Sequence, residues 1–138
     1  NKLEKQISLL ESTEHKFSST EGYFGEGSFN KNSTYQLFNK EKYFKDIKYK
    51  YRKTKYLKGD LFPGVWDKGF LDIHNCVVTS SVVVEKKIFD ILGGFRGLPL
   101  WADYDCWKGL ITLTSLIYLD EPLFYYDGKH GDGREYYK

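Results

Sequence analysis

The sequence predicts an α/β domain in which a mixed sheet is flanked by helices. Helical periodicity opens the chain at residues 1–10 and returns at 102–113. Residues 77–84, which lie between these two segments, are dominated by β-branched side chains. Residues 116–126, which follow the second segment, give a further strand signal. Strand and helix patterns that alternate along one chain are typical of α/β architecture.

Length and composition favour one globular domain across residues 1–138. The chain is long enough to bury a substantial core, and its 41% hydrophobic and 29% charged content excludes the disordered class. The net charge of +2 gives no general case for binding nucleic acid. The 12 Tyr and 10 Phe suit a surface that contacts carbohydrate or stacks on bases, and a genome of low GC content gives the same bias.

Cysteine and methionine usage adds two expectations. Cys76 and Cys106 are too few for a disulfide framework, so we expect buried thiols. The chain contains no methionine, so we expect it to begin inside a longer parent or to follow a cleaved tag.

No apolar run reaches the length of a membrane span and no secretory leader opens the chain, so a cytoplasmic protein without a membrane span is expected.

The first elements are an amphipathic helix and a strand. Leu3, Ile7 and Leu10 fall on one face of residues 1–10, and the Ser-Thr-Glu that follows ends the helix. Residues 17–29 combine aromatic side chains with glycines, which indicates a strand followed by a turn.

Residues 40–58 are basic and rich in tyrosine, with helical character around 40–51. Eight lysines and Arg52 stand against Glu41 and Asp46. This composition suits a face that binds phosphate or a polyanion, nucleic acid included. It also suits a solvated helix face whose lysine stems lie along the protein surface, and the opposing acids favour that second interpretation.

The middle of the chain predicts a loop, a buried strand and a short helix. Pro63 and two glycines interrupt residues 61–70, which we expect to form the loop. The apolar run at 77–84 predicts a central strand covered on both faces. Residues 86–92 predict the helix, ended by Gly93 in the left-handed conformation.

The last third of the chain predicts a helix, two strands and a tail. Tyr104 and Trp107 have helical spacing within residues 102–113. Two short strands should follow, one on either side of the Asp-Glu-Pro at 120–122. The polar, Gly-rich tail at 128–138 is expected to be mobile.

Two acids, Asp103 and Asp105, stand among aromatic residues in the stretch LPLWADYDCW at 98–107. One interpretation is structural: Asp103 caps a helix that begins at Tyr104, and Asp105 interacts favourably with the helix dipole. The other is chemical: a carboxylate in an aromatic pocket accepts the proton of a sugar hydroxyl. The spacing alone leaves both interpretations open.

Four segments, taken in order, resemble the C-terminal half of a family 2 glycosyltransferase domain of the GT-A fold. The opening NKLEKQISLLE resembles the helix that follows the metal-binding acidic motif of that family. NCVVTSSVVVEKKIFDILGGF resembles its strand, helix and GGF turn, and WADYDCWKGL resembles the segment that carries the catalytic base. SLIYLDEPLFYYDGKHGDG resembles its closing strands and a loop with histidine. The similarity covers about residues 75–130 and the first eleven, and it is loose between 12 and 74.

The resemblance implies an inverting transfer of sugar from a nucleotide-sugar donor to a hydroxyl of a carbohydrate or glycoconjugate acceptor. It makes Asp103 the general base, because the acceptor oxygen must lose a proton as it attacks the anomeric carbon. Trp101 is the candidate wall against the C–H face of the acceptor sugar. Asp105 would orient or hydrogen-bond the acceptor, or brace the helix.

The resemblance also implies a donor site that involves the tail. His130 is a candidate ligand for a divalent cation, Mn²⁺ or Mg²⁺, and Arg134 or Lys129 would meet the donor diphosphate. A polar chain end with no role is the alternative. His15, His74 and Cys106 are interpreted as structural or incidental.

Two departures from the family pattern favour a second function. Ala102 stands where the family usually has Glu, and the matched segments leave out the nucleotide-binding half. The alternative is therefore a non-catalytic module that binds glycan or takes part in assembly. An isolated half-fold should also self-associate or pair with another chain. The Asp-x-Asp at 103–105 has the form of a metal motif, but its position before a helix fits the base segment.

Overall fold

A computed structural model of the chain describes residues 1–129 and shows a mixed α/β fold. Its helices and strands, in chain order, are α1 (Lys2–Glu11), β1 (Phe17–Gly25), β2 (Gln36–Leu37), α2 (Phe44–Lys50), β3 (Val65–Trp66), α3 (Lys68–Ile73), β4 (Val83–Val84), α4 (Lys86–Leu92), α5 (Ala102–Leu110) and β5 (Leu116–Asp127). A π-helical turn spans Phe38–Lys42 and a 3₁₀ turn spans Thr79–Ser81.

The sheet is mixed, with β1 and β5 as its long central strands. The two run parallel, and Phe17 of β1 lies opposite Leu116 of β5. β2 and β4 pair antiparallel with β1, and β3 pairs antiparallel with β5. The predicted mixed sheet with flanking helices is therefore confirmed, as are the helices at the N-terminus and before Gly93, which adopts φ 91°.

The prediction of a central strand over residues 77–84 is wrong. Only Val83 and Val84 are strand, and they pair with the first two residues of β1. Before them the chain tightens into the 3₁₀ turn, where the Ser81 hydroxyl donates to the carbonyl of Val78 at 2.7 Å. The strand preference of β-branched side chains depends on packing against neighbouring strands, whereas the Thr-Ser-Ser within the run supplies hydroxyls that stabilise a turn.

Three other boundaries differ from the predictions. Residues 61–70 hold β3 and the start of α3, whose N-cap Asp67 accepts from the Phe70 N–H at 2.9 Å. The two C-terminal strands are one, because irregular register with β1 accommodates Pro122 without ending the strand. The helix predicted to reach residue 113 ends at Leu110.

The core lies between the sheet and helices α2, α3 and α5. Trp66 stacks on Phe70 and on Tyr118, with ring centroids 4.6 and 4.4 Å apart. Cys76 and Cys106 are buried free thiols, as predicted, and burial raises the pKa of Cys76 to about 12. Among residues 1–129, no helix is both long and apolar enough to cross a bilayer.

Candidate functional site

A cavity of about 570 Å³ opens at the N-terminal end of α5. Polar groups come from Asp103 and from the chain around the 3₁₀ turn, and apolar walls come from the loop before α5 and from two further aromatic rings. Its lining residues are Phe38, Asn75, Val77, Val78, Thr79, Ser80, Leu98, Pro99, Leu100, Trp101, Ala102, Asp103 and Tyr126.

The fold places Asp103 at the second position of α5, within this cavity. One carboxylate oxygen accepts from the Thr79 hydroxyl at 3.2 Å, and the other accepts from the Tyr104 N–H at 2.7 Å. Asp103 does not occupy the N-cap position, which is Trp101, but its carboxylate still accepts from a backbone N–H in the first turn of α5. The carboxylate is held from two sides and stays partly exposed at the cavity wall.

Trp101 occupies a strained backbone position beside this carboxylate. Its φ of 64° and ψ of 21° put it in the left-handed region. No other non-glycine residue of the described chain has a positive φ. A bulky side chain there costs about 1–3 kcal/mol, and such strain concentrates at functional sites. Trp101 is 56% exposed and lines the cavity.

We expect Trp101→Gly to leave the free energy of unfolding unchanged or to raise it by up to about 1 kcal/mol, because glycine adopts the left-handed conformation without steric cost. Urea denaturation followed by circular dichroism measures this change. Leu100→Gly is the matched control: it removes a neighbouring cavity side chain from a position without positive φ, and it should destabilise. Equal destabilisation by both variants would contradict the strain at Trp101.

Asp105 points away from the cavity and forms a two-bonded ion pair with Arg96. Nε of Arg96 donates to one oxygen of Asp105 at 2.8 Å, and Nη2 of Arg96 donates to the other. The hydrogen bond from Arg96 holds the pKa of Asp105 below its ordinary value. This pair ties the loop before α5 to the helix, which favours the bracing role for Asp105 and gives Asp103 and Asp105 separate partners.

Of the three tail residues predicted to contact the donor, only Lys129 lies within the described residues. Lys129 is exposed at the end of β5, with Nζ 3.8 Å from a carboxylate oxygen of Glu26. His130 and Arg134 lie outside the described residues. Within residues 1–129, no three His, Cys, Asp or Glu side chains cluster closely enough to hold a metal ion.

The two other histidines lie away from the cavity. His74 is half-buried, with Nδ1 3.0 Å from Lys50 Nζ, and burial together with that lysine lowers its pKa to about 4. A neutral ring that accepts from a lysine is a structural arrangement. His15 lies between α1 and β4, beside a separate shallow groove.

Sequence reasoning missed the residues that complete the site. Asn75, Thr79 and Ser80 give it polar atoms, but Thr79 and Ser80 lie in the run predicted as a strand. Phe38 and Tyr126 line it together, with ring centroids 5.2 Å apart. The Thr-Ser-Ser interruption of the valine run was the one signal available, whereas nothing local connects Phe38 with Asp103.

Comparisons with known proteins found no match at any of three levels. No protein-family model matches the chain, no curated protein is similar to it, and no solved structure matches its fold. The resemblance to family 2 glycosyltransferases therefore stays a prediction.

Proposed function

We propose that this chain is the acceptor-binding half of an inverting glycosyltransferase of the GT-A type, with Asp103 as the general base. The observation that carries the proposal is the position of Asp103: a partly exposed carboxylate, held by Thr79, on the wall of a cavity of about 570 Å³. A cavity of this size can admit one or two sugar rings.

The chemistry follows from that carboxylate. An acceptor hydroxyl donates a hydrogen bond to Asp103, and its oxygen attacks the anomeric carbon of the donor sugar. The bond from that carbon to the diphosphate breaks, the nucleoside diphosphate leaves with the electron pair, and Asp103 takes the proton. Thr79 and the Tyr104 N–H fix the carboxylate, so that little reorientation is needed as the proton moves.

The cavity walls suit a saccharide acceptor. Trp101 offers an exposed aromatic side chain, and the rings of Phe38 and Tyr126 also line the cavity. Sugar C–H faces pack on aromatic rings, while Asn75 and Ser80 supply polar atoms for neighbouring hydroxyls.

The test is a transfer assay with a labelled nucleotide-sugar, in the protein that contains this chain and its donor-binding half. A large loss of transfer in Asp103→Asn, together with unchanged transfer in Asp90→Asn, supports the proposal. Asp90 is the matched control because it is an exposed helical acid, paired with Lys86 at 2.6 Å.

The non-catalytic binding module is the second candidate, and Ala102 favours it. Ala102 lines the cavity at the first position of α5, where the family usually supplies a second acid. Calorimetry with nucleotide-sugars and Mn²⁺ separates the two functions. We expect no donor binding to the isolated chain, because the segments that resemble the family leave out its nucleotide-binding half. Micromolar donor binding by this chain alone would contradict the assignment of the acceptor half.

A further inference from the structure

Positive charge is concentrated in one short part of the molecule. Residues 45–60 carry seven lysine or arginine side chains and two acids, a net charge of +5, whereas the whole chain has a net charge of only +2. All seven cations are exposed: Lys45, Lys48, Lys50, Arg52, Lys53, Lys55 and Lys58. The rest of the chain is therefore net acidic, and the molecule is electrostatically polarised.

Helix α2 aligns several of these groups. Lys45, Lys48, Tyr49 and Arg52 are spaced at i, i+3, i+4 and i+7, which places them on one face. The helical turn continues past α2, because the Arg52 N–H donates to the Tyr49 carbonyl at 3.3 Å. Tyr49 is 64% exposed, and the Arg52 guanidinium lies 3.8 Å from its ring centroid. The face thus combines cations with an aromatic ring.

An apolar side chain extends this face. The turn at residues 58–61, with Gly59 at φ 64°, exposes 69% of Leu61. The turn lies against α2, since Lys48 Nζ is 3.1 Å from an Asp60 carboxylate oxygen. We call the exposed residues within 45–61 the basic surface.

The cations of the basic surface are largely available. Within the described chain, only Lys48 of the seven pairs with a carboxylate, and that acid is 75% exposed. Lys50 contacts the ring of His74 rather than an acid. An uncompensated set of this kind attracts an extended anionic surface.

We infer that the basic surface binds the headgroup layer of an anionic phospholipid bilayer. Lysine and arginine near such a layer each contribute about 1 kcal/mol, and tyrosine and leucine insert at its boundary. The exposed Leu61 favours lipid over nucleic acid, because phosphate contacts do not require an aliphatic side chain. None of these residues lines the Asp103 cavity, so the inference is independent of the proposed function.

The experiment is flotation of the full chain with vesicles of phosphatidylcholine alone, or with 30% phosphatidylserine. We expect binding only to the anionic vesicles, and loss of that binding as salt is raised. Lys45→Gln combined with Lys53→Gln should weaken binding by roughly 25-fold. The matched control, Lys31→Gln with Lys87→Gln, removes the same charge from exposed positions elsewhere and should change it by less than about threefold.

Leu61→Ser separates lipid from nucleic acid. We expect it to weaken vesicle binding at least threefold and to leave any binding of single-stranded DNA unchanged. Equal binding to neutral and anionic vesicles, equal losses in the two lysine pairs, or tight DNA binding with no vesicle binding would each overturn the inference. Circular dichroism of each variant verifies that it is folded.

Discussion

Replacing Asp103 by Asn is expected to lower sugar transfer by about 10²–10⁴-fold, the contribution typical of a general base. Asparagine has nearly the same shape: its carbonyl oxygen can accept from the Tyr104 N–H while its NH2 group donates to the Thr79 hydroxyl, so the cavity keeps its form. Its amide cannot take the proton of the acceptor hydroxyl, which is the step assigned to this position. Initial rates of transfer at saturating donor and acceptor measure the effect.

The control for this prediction is Asp90→Asn, which should retain the wild-type rate. Thermal unfolding should place Asp103→Asn within about 0.5 kcal/mol of the parent, the range usual for a partly exposed position. An Asp103→Asn protein that is folded and transfers sugar at an undiminished rate would rule out the base. A loss of transfer with an equal loss of fold would assign Asp103 a structural role instead.

Replacing Glu21 by Ala is expected to lower the free energy of unfolding by about 3–5 kcal/mol. Glu21 is fully buried in β1, and its carboxyl oxygens accept from the backbone N–H groups of Gly22, Asn39 and Lys40 at 2.9, 2.9 and 3.0 Å. Burial raises its pKa and the three N–H groups act in the opposite direction, with burial the larger effect. Removal leaves three donors without an acceptor and frees the π-helical turn.

Urea unfolding measures that loss, and Glu14→Ala is the matched control. Glu14 is exposed in the turn after α1, so its removal should change stability by less than about 0.5 kcal/mol. Because the π-helical turn carries Phe38, Glu21→Ala should also loosen the part of the cavity lining that Phe38 forms. A Glu21→Ala protein as stable as Glu14→Ala would show that the three N–H groups find other partners.

Local sequence patterns were sufficient to predict helices α1 and α4, whose backbone hydrogen bonds join residues close in sequence. The helical spacing of Leu3 and Ile7, and the Gly93 stop after α4, predicted α1 and α4 correctly, because a helix closes its hydrogen bonds within itself. The strand at 17–25 was also predicted, although its central place was not. Ser18, Ser19, Thr20 and Glu21 are polar yet buried, which no local hydrophobicity pattern would indicate.

By itself the sequence determined the α/β class, the two buried thiols and Asp103 as a candidate site residue. The tertiary structure decided which strands are central, since β1 and β5 pair across about 100 residues and a valine run cannot report its partners. It also decided what surrounds Asp103: Thr79 donates to it, Arg96 pairs with Asp105, and Phe38 lines the same cavity. Thr79 and Phe38 lie 24 and 65 residues before Asp103, so they reach the cavity only once the chain has packed.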